Sequence, residues 1–142
     1  MKKSFYLLLL SFFLLFPIAV QAQAKSDGPV YYRSAVEANG FLFVSGQNAQ
    51  KGDESLKEYD ISEQTKRALD QIGETLKANG YTFDDVVNVN IFLAKQSDFA
   101  EFNKVYQKYF PKRPARSAAF GVLHQDIGAL VEVLLVAYKK EN

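Results

Sequence analysis

The chain has 142 residues, 48% of them hydrophobic, with 17 basic and 16 acidic side chains and a formal charge of +1 at neutral pH. That length suits one domain around one core, and the near-zero charge excludes a bulk electrostatic pull toward nucleic acid or anionic membrane. With no cysteine and a single histidine, His124, the sequence offers no disulfide, no cysteine-linked lipid, no metal-ligand spacing and no Ser-His triad.

Lys2 and Lys3 precede an apolar run from Phe5 to Val20, which is followed by small residues at Ala22 and Ala24. This is the three-part layout of a secretory signal peptide. The run is shorter than the roughly 20 residues a membrane-spanning helix needs. Residues 1–24 are therefore expected to be a signal peptide cleaved after Ala22 or Ala24, leaving residues 25–142 as a single exported domain with no membrane attachment. The periplasm is the expected destination. Losing Lys2 and Lys3 turns the formal charge from +1 to −1.

After a short leader with Gly28-Pro29, residues Tyr31 to Glu37 read as a first strand, closed by Asn39-Gly40, a common two-residue hairpin turn. Phe41 to Val44 returns as the second strand. The polar stretch from Asn48 to Glu58 is a loop, and Asp60 with Glu63 three residues on opens a helix in the manner of a capping box. Ala68, Leu69, Ile72 and Leu76 mark its buried face, and Asn79-Gly80 ends it. From Val86 to Leu93, Val87, Val89, Ile91 and Leu93 alternate with Asn88 and Asn90, a strand with one core face and one polar face. Ser97 and Asp98 start a second helix, in which Phe99, Phe102, Tyr106, Tyr109 and Phe110 recur at helical spacing as core packing until Pro111 stops it. Arg116 to Val122 and Leu130 to Tyr138 supply two more strands, and His124 falls in the loop between them. The order β-β-α-β-α-β-β predicts an α+β sandwich, a mixed sheet with two helices on one face. Twelve phenylalanines and eight tyrosines exceed what two helices need to cover, so the open sheet face is expected to pack against other copies of the chain.

Two side chains stand out chemically. Glu132 sits in the apolar run Ala129 to Tyr138, and a carboxylate buried without a partner is costly. It should face a cleft, a subunit interface or a cation. Arg116, in Arg113-Pro114-Ala115-Arg116-Ser117-Ala118, brings a guanidinium to the start of another strand, suited to a two-point grip on a carboxylate. An ion pair with Glu132 is the plainer alternative for it. Arg113 is expected to be a solvated rim charge, and Lys104, Lys108, Lys112 and Arg113 to be a solvated face rather than an RNA track.

Pro-Ala-Arg-Ser-Ala followed by a Glu-bearing apolar strand resembles the C-terminal signature of the RidA/YjgF (enamine/imine deaminase) family. The resemblance extends from about Gly28 to the C-terminus. Ser45-Gly46-Gln47 after an apolar strand matches that family's Ser-Gly-Gln motif, Tyr32 a pocket tyrosine, and Asn103 an asparagine that follows an Asp-Phe-Ala element. The resemblance implies a chorismate-mutase-like fold, a homotrimer and sites in the three subunit clefts. It gives Arg116 the substrate carboxylate and Glu132 the water, with Tyr32, Ser45, Gly46, Asn103 and the backbone N–H of Ala118 binding substrate. Many members carry a cysteine where this chain has Ala118, and a second acid where it has Leu134. The implied reaction is hydrolysis of small 2-imino or enamine acids to 2-keto acids and ammonia, which needs no metal or cofactor. Two other readings stay open at this point: a non-catalytic trimer that binds small carboxylates, and an endoribonuclease.

Overall fold

The structure is a computed structural model that describes residues 32–121, 123 and 126–140. The expected signal peptide, Tyr31, Val122 and His124 lie outside the described residues.

Strand β1, Ala35–Ala38, and strand β2, Phe41–Gln47, form an antiparallel hairpin. Asn39 and Gly40 both have positive φ, 51° and 77°, as the predicted Asn-Gly turn requires. Strand β1 begins four residues later than expected, so Tyr32 lies in an irregular segment ahead of it.

Helix α1, Ile61–Ala78, starts at the N-cap Asp60, whose Oδ1 accepts from the Glu63 N–H at 2.9 Å. Only half of the expected capping box forms, because the Glu63 carboxylate turns toward Arg67, 3.9 Å from its Nε. Ala68, Leu69, Ile72 and Leu76 are all buried. Strand β3, Val86–Leu93, corrects one expectation: Val86 is buried and Val87 exposed, since the register with its neighbour shifts between Val86 and Asn88. Beyond that bulge the predicted alternation holds, with Val89, Ile91 and Leu93 in the core.

A short 3-10 turn, Gln96–Asp98, leads into helix α2, Phe99–Tyr109. Phe102, Tyr106 and Phe110 are buried, and Phe99 and Tyr109 pack against the same core. Strand β4, Ala115–Phe120, runs parallel to β3, and strand β5, Val131–Tyr138, pairs antiparallel with both β2 and β3. The sheet order is β1-β2-β5-β3-β4. It is mixed, as expected, because α2 carries the chain back to lay β4 beside β3 in the same direction.

One sheet face supplies Leu42, Val44, Val89, Ile91, Val133 and Leu135 to a single core shared with both helices. The other face is open. On it Val36, Phe41, Phe43 and Tyr138 remain 39–49% exposed, with the Phe41 and Tyr138 rings 4.6 Å apart across β2 and β5. Among the described residues no helix is long and apolar enough to cross a membrane.

Candidate functional site

Glu132 lies on the open face, opposite Phe92 in the β5–β3 register. It is half-buried and makes neither a hydrogen bond nor an ion pair among the described residues. Its neighbour across the sheet is Gly46, where the β2–β5 register shifts between Val44 and Gln47. A Cβ built on Gly46 would fall 2.1 Å from Glu132 Oε1 and 2.9 Å from its Cδ. The glycine of Ser-Gly-Gln is thus required by the close approach of the carboxylate. Around it the chain is tied down: the Tyr32 hydroxyl donates to the Gly46 carbonyl at 3.1 Å, and Gln47 Nε2 donates to that hydroxyl at 2.7 Å. Ser45 Oγ donates to the Arg33 carbonyl at 2.7 Å and its N–H to Ser34 at 3.0 Å. Tyr32, Ser45, Gly46 and Glu132 therefore come together, with Gln47 as a further member.

Arg116 belongs to a different place. In the parallel register it sits beside buried Val89, and Ala118 beside buried Ile91, so both face the helices. Arg116 donates to Asn103 Oδ1 on α2 at 2.7 Å. Its guanidinium lies 4.9 Å from the Tyr106 ring centroid and 5.5 Å from that of Phe99, cation–π distances that fix its plane while leaving most of its donors free. Burial pushes the Tyr106 hydroxyl above its ordinary pKa, with Arg116 opposing. Strand β4 ends the sheet at one edge. Since the Gly121 N–H bonds the Leu93 carbonyl, alternation along the strand turns the N–H of Ala118 to the free edge, on the same side strand as Arg116. Asn103 and Arg116 thus form a second group, beside a groove of about 560 Å³ between α2 and the lead-in to β4, with Ala118 two residues further along the same face of the strand.

The strands that carry Arg116 and Glu132 are not neighbours in the sheet, since β3 lies between β4 and β5. Arg116 and Glu132 also face opposite sides of the sheet, so no Arg116–Glu132 ion pair forms within one subunit. Of the basic run, Lys104 is paired with Glu101 at 2.6 Å and Lys112 with Asp84 at 3.4 Å.

Gln64 was not expected among these residues. Fully buried on α1, its Nε2 reaches the carbonyls of Leu56, Tyr59 and Gly128 at 3.0–3.1 Å, and its Oε1 accepts from the Leu130 N–H at 2.9 Å. It ties the 48–58 loop to the start of β5, two residues before Glu132. The sequence signal was there: Gln64 falls four residues before Ala68 on the apolar stripe, and a polar group on a buried stripe must find partners.

A five-stranded mixed sheet in this order, with two helices on one face, defines a chorismate-mutase-like α+β sandwich. The chain belongs to the RidA/YjgF family: the profile of the family described as Endoribonuclease L-PSP matches residues 23–139. It is 39% identical over 121 residues to a RutC family protein of Pyrococcus horikoshii, covering 82% of this chain and 91% of that one. A Rid family protein of Yersinia pestis superposes with a TM-score of 0.70 at 32% identity, over 79% of this chain and 90% of the other. A YjgF family protein of Mycobacterium tuberculosis does so at 0.67 and 32%, over 78% and 88%.

Proposed function

We propose that the chain, exported after removal of residues 1–24, assembles as a homotrimer that hydrolyses small 2-imino and enamine acids to 2-keto acids and ammonia. The observation that carries this reading is the placement of two incomplete groups on opposite sides of one sheet. Each has a charged side chain with no opposite charge paired to it, so each subunit contributes Arg116, Asn103 and Ala118 to one cleft and Tyr32, Gly46 and Glu132 to the next. The apolar open face around Phe41, Phe43 and Tyr138 supplies the surface for that packing. The match to the family profile begins at residue 23, which leaves the apolar run outside the family domain, in keeping with a cleaved leader. A periplasmic location follows from that leader.

In the cleft, the Arg116 fork and the Ala118 N–H hold the substrate carboxylate, which orients the imine carbon. Glu132 takes a proton from water as the oxygen bonds to that carbon, and returns it to the nitrogen. In the resulting carbinolamine Glu132 moves the hydroxyl proton to the amino nitrogen as the carbon–nitrogen bond breaks, so that ammonia leaves and the hydroxyl oxygen becomes the keto oxygen. An enamine first takes a proton at its β-carbon to become the imine. Nothing in these steps calls for a group beyond the chain itself.

The test is to generate 2-iminopropanoate with an amino-acid oxidase and follow its loss with purified protein. Acceleration over the buffer rate is expected, lost in Arg116→Ala by about two orders of magnitude if positioning is its role. Unimpaired turnover in Arg116→Ala would remove the clamp. Carboxylate binding without acceleration would favour a binder, and cleavage of single-stranded RNA an endoribonuclease, the activity named in the family's description.

A further inference from the structure

The groove beside Arg116 has a second cation. Arg113 lines it together with Arg116, Asn103, Gln107 and Tyr106, and no Asp or Glu is among its lining residues. The Arg113 side chain makes no ion pair or hydrogen bond among the described residues. Two arginines lining one groove, with no acid lining it to balance them, favour an anion that brings more than one negative charge.

The backbone at Arg113 adds an independent observation. Its φ is +50°, in the left-handed region, with its N–H bonded to the Phe110 carbonyl at 3.3 Å. The only other described non-glycine residue there is Asn39, a residue type that tolerates this conformation. Arginine holds it at a cost of about 1 kcal/mol, which glycine would avoid. What the position gains for that strain is the guanidinium.

We infer that the site selects 2-imino or 2-keto acids with a second carboxylate on the side chain, Arg116 holding the first carboxylate and Arg113 the second. This rests on the reading of Arg116 as the carboxylate clamp. A small dianion fits better than an RNA strand, because the groove is about 560 Å³. Two of the three lysines that would extend a basic track are moreover paired with acids, Lys104 with Glu101 and Lys112 with Asp84.

Calorimetry of the purified protein with 2-ketoglutarate, oxaloacetate and 2-ketobutyrate tests it. A charge-assisted contact at an exposed rim should make at least one of the two dicarboxylates bind about tenfold tighter than 2-ketobutyrate. Arg113→Gly should collapse that preference. The same variant should melt no lower than the parent, since glycine relieves the backbone, so a lost preference is not a lost fold. Arg116→Ala should weaken all three acids. Equal affinities in the parent, or a preference that survives Arg113→Gly, overturns the second contact while the clamp stands. Absence of binding by every acid overturns both. An RNA oligonucleotide that binds through Arg113, with no dicarboxylate preference, would also overturn the inference and assign the residue to nucleic acid.

Discussion

Gly46 and Glu132 show how one missing side chain makes room for another. The added methyl of Gly46→Ala would stand 2.1 Å from Glu132 Oε1, closer than any real contact allows, so something must move. What yields is the end of a flexible carboxylate rather than the backbone. The fold should therefore survive with a stability change of about 1 kcal/mol or less, while Glu132 is pushed from its station. A fall in imine hydrolysis of at least about tenfold is expected, because misplacing a reacting group by an ångström is enough. Thermal melting and the oxidase-coupled assay, run on the same sample, separate the two effects. A variant that hydrolyses imine at the parental rate would take Glu132 out of the chemistry. Tyr32 and Gln47 bear on the same point, since their 2.7 Å bond and the Tyr32 bond to the Gly46 carbonyl hold the backbone against which Glu132 rests.

The elements differ in how openly the sequence announces them. Both helices were legible, because apolar residues at helical spacing are a local signal: the α1 stripe is buried behind its capping Asp60, and on α2 Phe102 and Tyr106 are buried with Phe99 and Tyr109 partly so, although Asp98 makes no side-chain cap bond. In β3 the alternation was read one residue wrong at its start, since a bulge at Val86–Asn88 depends on the partner strand. The facing of Arg116 relative to Glu132 was not legible at all. Alternation tells which residues of a strand share a face, and only the register between strands tells which face that is. The contact between the helices leads to a prediction. Asp70 accepts from Lys66 at 2.7 Å and from Tyr109 of α2 at 2.8 Å. Burial pushes the Asp70 pKa up, but the hydrogen bonds from Lys66 and Tyr109 outweigh it and hold the group below its ordinary 3.8. Burial, then the Asp70 bond, pushes Tyr109 from 10.0 up to about 12. A depressed carboxylate gives stability that is present above its unfolded pKa and lost as pH falls through the folded one. A raised phenol gives stability present below 10.0 and lost as pH climbs toward about 12. Denaturant midpoints should therefore be level near neutrality, drop below about pH 4 and drop again above about pH 10. The alkaline drop should shrink in Tyr109→Phe; an unchanged profile would mean that this bond does not tie the helices in solution.

At the scale of the whole molecule, the opposite facing of Arg116 and Glu132 turns a question about catalysis into one about assembly. A lone subunit holds the Arg116 guanidinium on one side of its sheet and the Glu132 carboxylate on the other, with an apolar face between β1 and β5 left 39–49% exposed at its largest residues. A closed ring lets each clamp meet the next subunit's carboxylate while covering that face. Light scattering should then give three subunit masses, and Arg116→Ala and Glu132→Gln should each be inactive as pure trimers. Mixed, unfolded and refolded together, the two dead variants should regain activity. A working cleft needs an intact Arg116 from one neighbour and an intact Glu132 from the other. With equal amounts and random assembly about a quarter of the clefts meet that condition, so about a quarter of parental activity should return. The yield should follow the product of the two fractions as the mixing ratio is varied. A site built within one subunit would give no recovery at any ratio, and so would a monomer, whose lower mass light scattering would reveal.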